Sequence, residues 1–233
     1  MLNPYLERQR LYVVVMTIVI NVVAVAVFAR FPWSDWRTGL ALNLFDNALL
    51  LAHVFRMRDL LMLRLMLFGL VVGLVELGAD AWLVDATGTL DYSTGGGPML
   101  WRSPVWMPIA WQIVTVQFGY IGLRLYEAMG LQGLVITGVL GAVSIPFYEE
   151  MAIHTHWWRF SHCRMMFHTP YYVIAGEFLI AMAIGRLATC ARQRDWGRIF
   201  TAGTMAGVAI LASYAMAYLC TDVVWKLLAL RRA

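Results

Sequence analysis

Charge is what this sequence has least of. Only 14% of its 233 residues are Asp, Glu, Lys or Arg, where a soluble domain carries about a quarter. That scarcity leaves no room for a separate soluble unit, and the chain reads as one transmembrane domain over residues 1–233. Cysteine is equally thin: Cys163, Cys190 and Cys220 form no CxxC pair, which excludes a disulfide framework and a thiolate zinc site. The run Gly95-Gly96-Gly97-Pro98 is not followed by a Gly-Lys-Ser/Thr sequence and no strand precedes it, so it is not a phosphate cradle. The arginines lie beside apolar runs and not in a patch, which removes nucleic acid as a partner.

What is abundant is apolar. Hydrophobic residues make up 61% of the chain, and the mean hydropathy is +0.67. A helix needs roughly 20 apolar residues to cross a hydrocarbon core, and seven runs qualify: 11–29, 38–55, 60–84, 104–126, 130–148, 169–189 and 199–225. The expectation is an all-α polytopic bundle of about seven transmembrane helices, located in a bacterial inner membrane. The first run follows a polar segment without a small-residue cleavage site and reads as a retained span. It is almost all Val, Ile and Ala with no ionisable group, as a lipid-facing scaffold helix would be. Slightly more Lys and Arg on the side of the N-terminus place that end in the cytoplasm.

Ionisable groups at membrane depth are costly, so they mark candidate functional positions. On the second run Asn43, Asp46 and Asn47 follow i, i+3, i+4 spacing and share a face that should point into the bundle. On the third, Glu76 and Asp80 are one turn apart; both cannot ionise there without repulsion unless a cation faces them. The fifth ends in Pro146-Phe147-Tyr148-Glu149-Glu150, and the sixth carries Glu177 roughly two turns, or about 12 Å, inside. The glycine-rich connector 85–103 reads as a mobile loop or lid. With seven alternating spans, Asp46, Glu76, Asp80, Asp91, Glu149, Glu150, Glu177 and Asp222 all fall in one half of the membrane or its cap.

Two groups of motifs resemble known families. Glu76, then Leu90-Asp91-Tyr92, Pro104 and Pro108-Ile109-Ala110-Trp111, resemble the integral-membrane carotenoid biosynthesis family that includes the acyclic carotenoid hydratases, as do Trp157-Trp158 and Thr169-Pro170-Tyr171. Pro146 with the pair Glu149-Glu150 resembles the paired-acid motif of the small membrane lycopene cyclases, with one extra residue between. The resemblance implies a lipophilic polyprenoid substrate met within membrane lipid, carotenoid or terpenoid biosynthesis, and cyclase, hydratase or isomerase chemistry.

The residues permit that chemistry by themselves. Protonating a C=C needs a neutral carboxylic acid in a dry site and a base to take a proton back. Glu149 or Glu150 would donate, Glu76 or Asp80 would accept, and Glu177 would act with them. Asp46, Asp91, Tyr92, Trp111, Trp157, Trp158 and Tyr171 would bind substrate, the aromatic faces stabilising a cation. No cofactor is required. In the blander reading, Glu76 and Asp80 pair with Arg102 or Arg159 as structural glue, and Glu149 and Glu150 cap the connector. A rival enzyme reading uses His154, His156, His162 and His168 with Glu149, Glu150 and Glu177 as metal ligands in an oxidase or hydroxylase. A third reading is a non-enzymatic lipid- or pigment-binding subunit or carrier.

Overall fold

Long runs of Val, Leu, Ile and Ala satisfy every backbone group internally when they coil, which is the form an apolar environment demands. A computed structural model describes residues 4–225 and contains seven long helices: α1 (Pro4–Phe28), α2 (Trp36–Met57), α3 (Leu60–Trp82), α4 (Met107–Met129), α5 (Leu131–His154), α6 (Tyr171–Leu187) and α7 (Trp196–Tyr218). Six of them are long and apolar enough to cross a membrane, as in a multi-pass membrane protein. The other, α4, is as long but more polar, with Gln112, Gln117 and Tyr120 buried among its neighbours. It packs on α1, α2, α3, α5 and α6, so its polar groups meet protein.

Local chemistry sets the helix ends. Asp35 accepts the Arg37 N–H at 2.8 Å to start α2. Asp59 accepts the N–H groups of Leu61 and Met62 at 3.1 and 3.2 Å to start α3. The oxygens occupy the orphan donors of a first turn, the role of an N-cap. α3 continues as a π-helical turn over Leu83–Thr87, and α7 does the same over Leu219–Val223.

Three sequence expectations change. The fifth helix does not stop at Tyr148 but runs through Pro146 to His154, so the paired acids sit on a helix and not on its connector. The connector 85–103 is not an open loop: β1 (Leu90–Asp91) pairs antiparallel with β4 (Arg159–Phe160), while β2 (Met99–Leu100) folds back on β3 (Ser103–Pro104). In the second connector, β5 (Met165–Met166) pairs with β6 (Thr169–Pro170). The Ser161 N–H donates to the Thr89 carbonyl at 2.8 Å, and the Trp157 indole donates to the Asp35 carbonyl at 3.0 Å. The two connectors and the α1–α2 turn therefore form one knitted cap. Finally, α1 is not only scaffold, because Thr17 is fully buried and Asn21 reaches the interior.

The two ends of the bundle differ. At the end where α1 begins, Arg10 makes bonds of 2.7 Å to each oxygen of Asp59, and Arg192 joins Glu127 at 2.8 Å. At the other end, where α7 finishes, lie the cap and the carboxyl groups.

Candidate functional site

Beneath the cap is a cavity of about 220 Å³. All seven helices contribute to its wall, and its lining is mostly apolar. Three carboxyl groups face it, Asp80 from α3, Glu149 from α5 and Glu177 from α6. Each is held by a different donor. The Trp158 indole donates to Glu149 Oε2 at 2.6 Å, and the Tyr214 hydroxyl donates to Glu177 Oε1 at 2.6 Å. Asp80 Oδ2 accepts from the Tyr92 hydroxyl at 2.6 Å and the Ser103 hydroxyl at 2.7 Å. Glu76 stands one turn behind Asp80 and is wholly buried. Among the described residues neither of its oxygens has a hydrogen bond of good geometry, although Asp80 and the Trp111 indole are beside it.

Close helix contacts bring these groups together. A Cβ on Gly73 would lie 2.2 Å from the Pro108 carbonyl oxygen, so the bare glycine lets α3 press on α4 one turn below Glu76. A Cβ on Gly176 would lie 2.5 Å from the Tyr214 ring. Its absence lets the tyrosine lie across α6 and reach Glu177, the next residue.

Aromatic rings roof the cavity. Trp106 meets Trp157 at 5.6 Å and Trp158 at 6.2 Å between ring centroids, and Tyr92 meets Trp158 at 6.3 Å. Burial, followed by the Asp80 and Glu76 carboxylates, pushes the Tyr92 phenol well above its ordinary value. It therefore stays protonated and serves as a donor to Asp80.

The expected site divides in two. Glu76, Asp80, Glu149, Glu177, Tyr92, Trp111, Trp157 and Trp158 gather in or directly behind the cavity. Glu150 does not: adjacent helical residues point about 100° apart, and it turns outward to His168 at 2.8 Å and His154 at 3.5 Å. Asp91 is in the cap, bound to Arg159 at 2.8 Å. There hydrogen bonds from Ser93, then from Arg159, outweigh burial and hold its carboxyl below the usual range. Tyr171 lies in a separate lateral groove among α5, α6 and α7, with the Arg164 guanidinium 5.4 Å from its ring. Asp46 is fully buried just outside the lining and accepts a hydrogen bond from Asn21.

Neither of the blander arrangements assembles for the buried acids. Arg102 binds Asp85 at 2.9 Å and Arg159 binds Asp91, so neither neutralises Glu76 or Asp80. Glu149 is buried inside the bundle, where it accepts from the Trp158 indole, and does not stand at the headgroup level. Of the ligand set of the metal reading, His154 and His168 both meet Glu150 on the outer face, while His156 Nδ1 lies 3.2 Å from the Ser34 carbonyl. Among the described residues no group of three or more His, Cys, Asp or Glu side chains is arranged to hold a metal ion.

Reading the sequence missed Trp106, Tyr148, Tyr214, Asn21 and Gln117, all of which line the cavity. Polarity within an apolar run was the available signal for Asn21 and Gln117. Trp106 stands at the start of the fourth run, where a tryptophan reads as part of an interfacial belt.

A family profile described as a domain of unknown function, DUF6989, matches residues 77–221. That is well over half of the chain. The chain belongs to the DUF6989 family. The DUF6989 match takes in Asp80, Glu149, Glu177, both connectors of the cap and Tyr214, and leaves α1, α2, the turn between them and Glu76 outside. No curated protein and no solved structure matches the chain.

Proposed function

We propose that this protein is an integral-membrane enzyme that protonates a C=C bond of a polyprenoid or terpenoid lipid, leading to cyclisation, hydration or isomerisation. One observation carries the reading: three carboxyl groups, Asp80, Glu149 and Glu177, meet at one mostly apolar, aromatic-roofed cavity with Glu76 buried directly behind Asp80, and none of the four has an ion pair among the described residues. A carboxylate stranded in apolar surroundings is expensive, and carboxyl groups brought together hold protons in common.

Glu149 is the donor in this scheme. Trp158 holds its Oε2, which leaves the other oxygen to carry a proton into the cavity. Transfer forms a C–H bond at one alkene carbon and leaves a carbocation at the more substituted neighbour. The faces of Trp106, Trp111, Trp157 and Trp158 stabilise that charge through their quadrupoles. The cation is then quenched by water, forming C–O, or by an internal alkene, forming C–C, and a proton is lost. Asp80, already accepting from two hydroxyls, is placed to receive it and share it with Glu76. Atoms balance with water or the alkene alone, so neither nucleotide nor redox partner enters. The proposed location is a bacterial inner membrane, in keeping with arginines flanking the apolar helices.

The test is deuterium incorporation. Membranes carrying only this protein are incubated in D2O with acyclic polyprenoids, and C–D bonds are sought in the product. Glu149→Gln and Glu177→Gln are each expected to lose incorporation while remaining folded in the membrane, and Glu150→Gln to retain it. Undiminished incorporation in both Glu149→Gln and Glu177→Gln would sink the mechanism.

A further inference from the structure

The cavity has a second polar pole that proton transfer does not use. Away from the acids, its wall is formed by α1, α2, α4 and α5, and five uncharged polar side chains face it: Asn21, Asn43, Gln117, Tyr148 and Ser144, the last turned to the Gly141 carbonyl at 3.0 Å. Their hydrogen bonds are partly spent. Asn43 donates to the Gly39 carbonyl at 2.8 Å, and Gln117 donates to the Thr17 hydroxyl at 3.2 Å. Each amide oxygen remains open. The Tyr148 hydroxyl makes no hydrogen bond among the described residues. Asp46, directly behind, grips Asn21 with Oδ2, and its fully buried Oδ1 has no partner among the described residues.

Unmatched polar groups at such depth cost about 1–3 kcal/mol each, and buried polar groups in native proteins are nearly always satisfied. A ligand group with both donor and acceptor capacity satisfies this set. Charge narrows the class further. No Lys, Arg or His lines the cavity, so a diphosphate or carboxylate head would be buried without a counter-ion. The acid pole suits an alkene and this pole suits a neutral hydroxyl or carbonyl.

We propose that the Asn21–Asn43–Gln117–Tyr148 pole is a subsite for an uncharged oxygenated group of the substrate, with Asp46 as a positioning residue that fixes Asn21. The substrate class is then an acyclic isoprenoid with a hydroxyl or carbonyl at one end and a C=C at the other, and not a pure hydrocarbon. This rests on the acid reading for the reaction but not for binding. The family match covers the three acids that face the cavity and omits α1 and α2, so Asn21, Asn43 and Asp46 come from the part of the chain beyond it.

Binding to purified protein in lipid nanodiscs, read by quenching of the cage tryptophans, tests the subsite. The probes are farnesol, the C15 hydrocarbon β-farnesene and farnesyl diphosphate. Farnesol is expected to bind at least tenfold tighter than farnesene, and the diphosphate no tighter than farnesene. Tyr148→Phe and Asn43→Leu should each shrink the farnesol preference and leave farnesene affinity unchanged; the phenylalanine variant removes one oxygen and keeps the ring. Equal affinity for alcohol and hydrocarbon in the wild-type protein overturns the proposal, as does a preference that both variants keep, or tighter binding of the diphosphate. The two readings fail separately. Deuterium incorporation without an alcohol preference removes only the subsite, and an alcohol preference with a fully active Glu149→Gln protein removes only the acid mechanism.

Discussion

Glu76 is the residue least explained by packing. Its side chain has no exposure and no well-formed hydrogen bond among the described residues, in a helix stretch whose preceding residues 65–75 are all apolar or glycine. Replacing such a group by an apolar side chain of similar length removes a desolvation penalty of about 1–3 kcal/mol. Glu76→Met is therefore expected to raise the unfolding temperature in detergent and to abolish turnover, the trade expected where a site keeps a destabilising group for use. A variant less stable than the parent would show that Glu76 supports the fold. Trp158→Phe separates the two roles of that ring. It retains an aromatic face but loses the N–H that holds Glu149 Oε2 at 2.6 Å, and product formation is expected to fall by about 10- to 100-fold, on the scale of a lost positioning hydrogen bond of 1.5–3 kcal/mol. A partial loss with unchanged substrate affinity is the signature of positioning. No change at all would mean that Glu149 needs no such restraint.

At the scale of elements, the site depends on helices that touch where side chains are missing. The Cβ of Gly73→Ala would meet a backbone oxygen at 2.2 Å, whereas at Gly78, on the same helix, nothing lies within 4 Å of the added atom. Gly73→Ala should destabilise by about 1–3 kcal/mol or more, since backbone cannot rotate away. Gly78→Ala should be neutral or gain up to about 1 kcal/mol from helix propensity. Thermal unfolding of the two variants side by side checks this, and equal effects would mean that α3 and α4 are not held at that distance. The same elements show how far sequence alone could go. Seven apolar runs, the i, i+3, i+4 face of Asn43, Asp46 and Asn47, and the gathering of acids at one end were all legible, because helix period and alternating direction are local rules. The 100° step alone required the paired acids to diverge, and the outward turn of Glu150 was legible from its place nearer the connector, although the helix continues past it. That continuation was not legible: Pro146 signals a break in water, yet a helix surrounded by other helices carries it. Asp91 was misplaced because its partner, Arg159, comes from a distant connector, and a two-residue strand pairing leaves no periodic trace; Tyr171 was misplaced because nothing local told which face of α6 turns to the lateral groove.

On the scale of the whole molecule, the bundle is locked at one end by charge and used at the other. With seven alternating helices, the start of α1 and the end of α7 lie on opposite faces, and accessibility of tags at the two ends should differ accordingly; both on one side would undo the shared-half argument for the acids. The lock centres on Asp59, whose side chain is fully buried against an Arg10 side chain with 8% exposure. Burial alone would raise this carboxyl, but hydrogen bonds from His53 and Arg10, the Arg10 charge and the Met62 N–H outweigh it and hold Asp59 well below the ordinary range. A group depressed in this way adds stability that is complete above its unfolded value, about 3.9 for Asp. That contribution is lost as the pH falls from there toward the folded value. Asp59→Asn removes one member of a buried pair and is expected to cost about 3–5 kcal/mol at pH 7, toward the lower figure because Glu7 also holds Arg10, at 2.5 Å. Between pH 4 and pH 2 the wild-type protein should lose this advantage and the variant should not, so their unfolding midpoints in detergent should converge. A gap that stays constant to pH 2 would show that Asp59 is not the ionised partner of Arg10, and that the charged end of the bundle is held by other contacts.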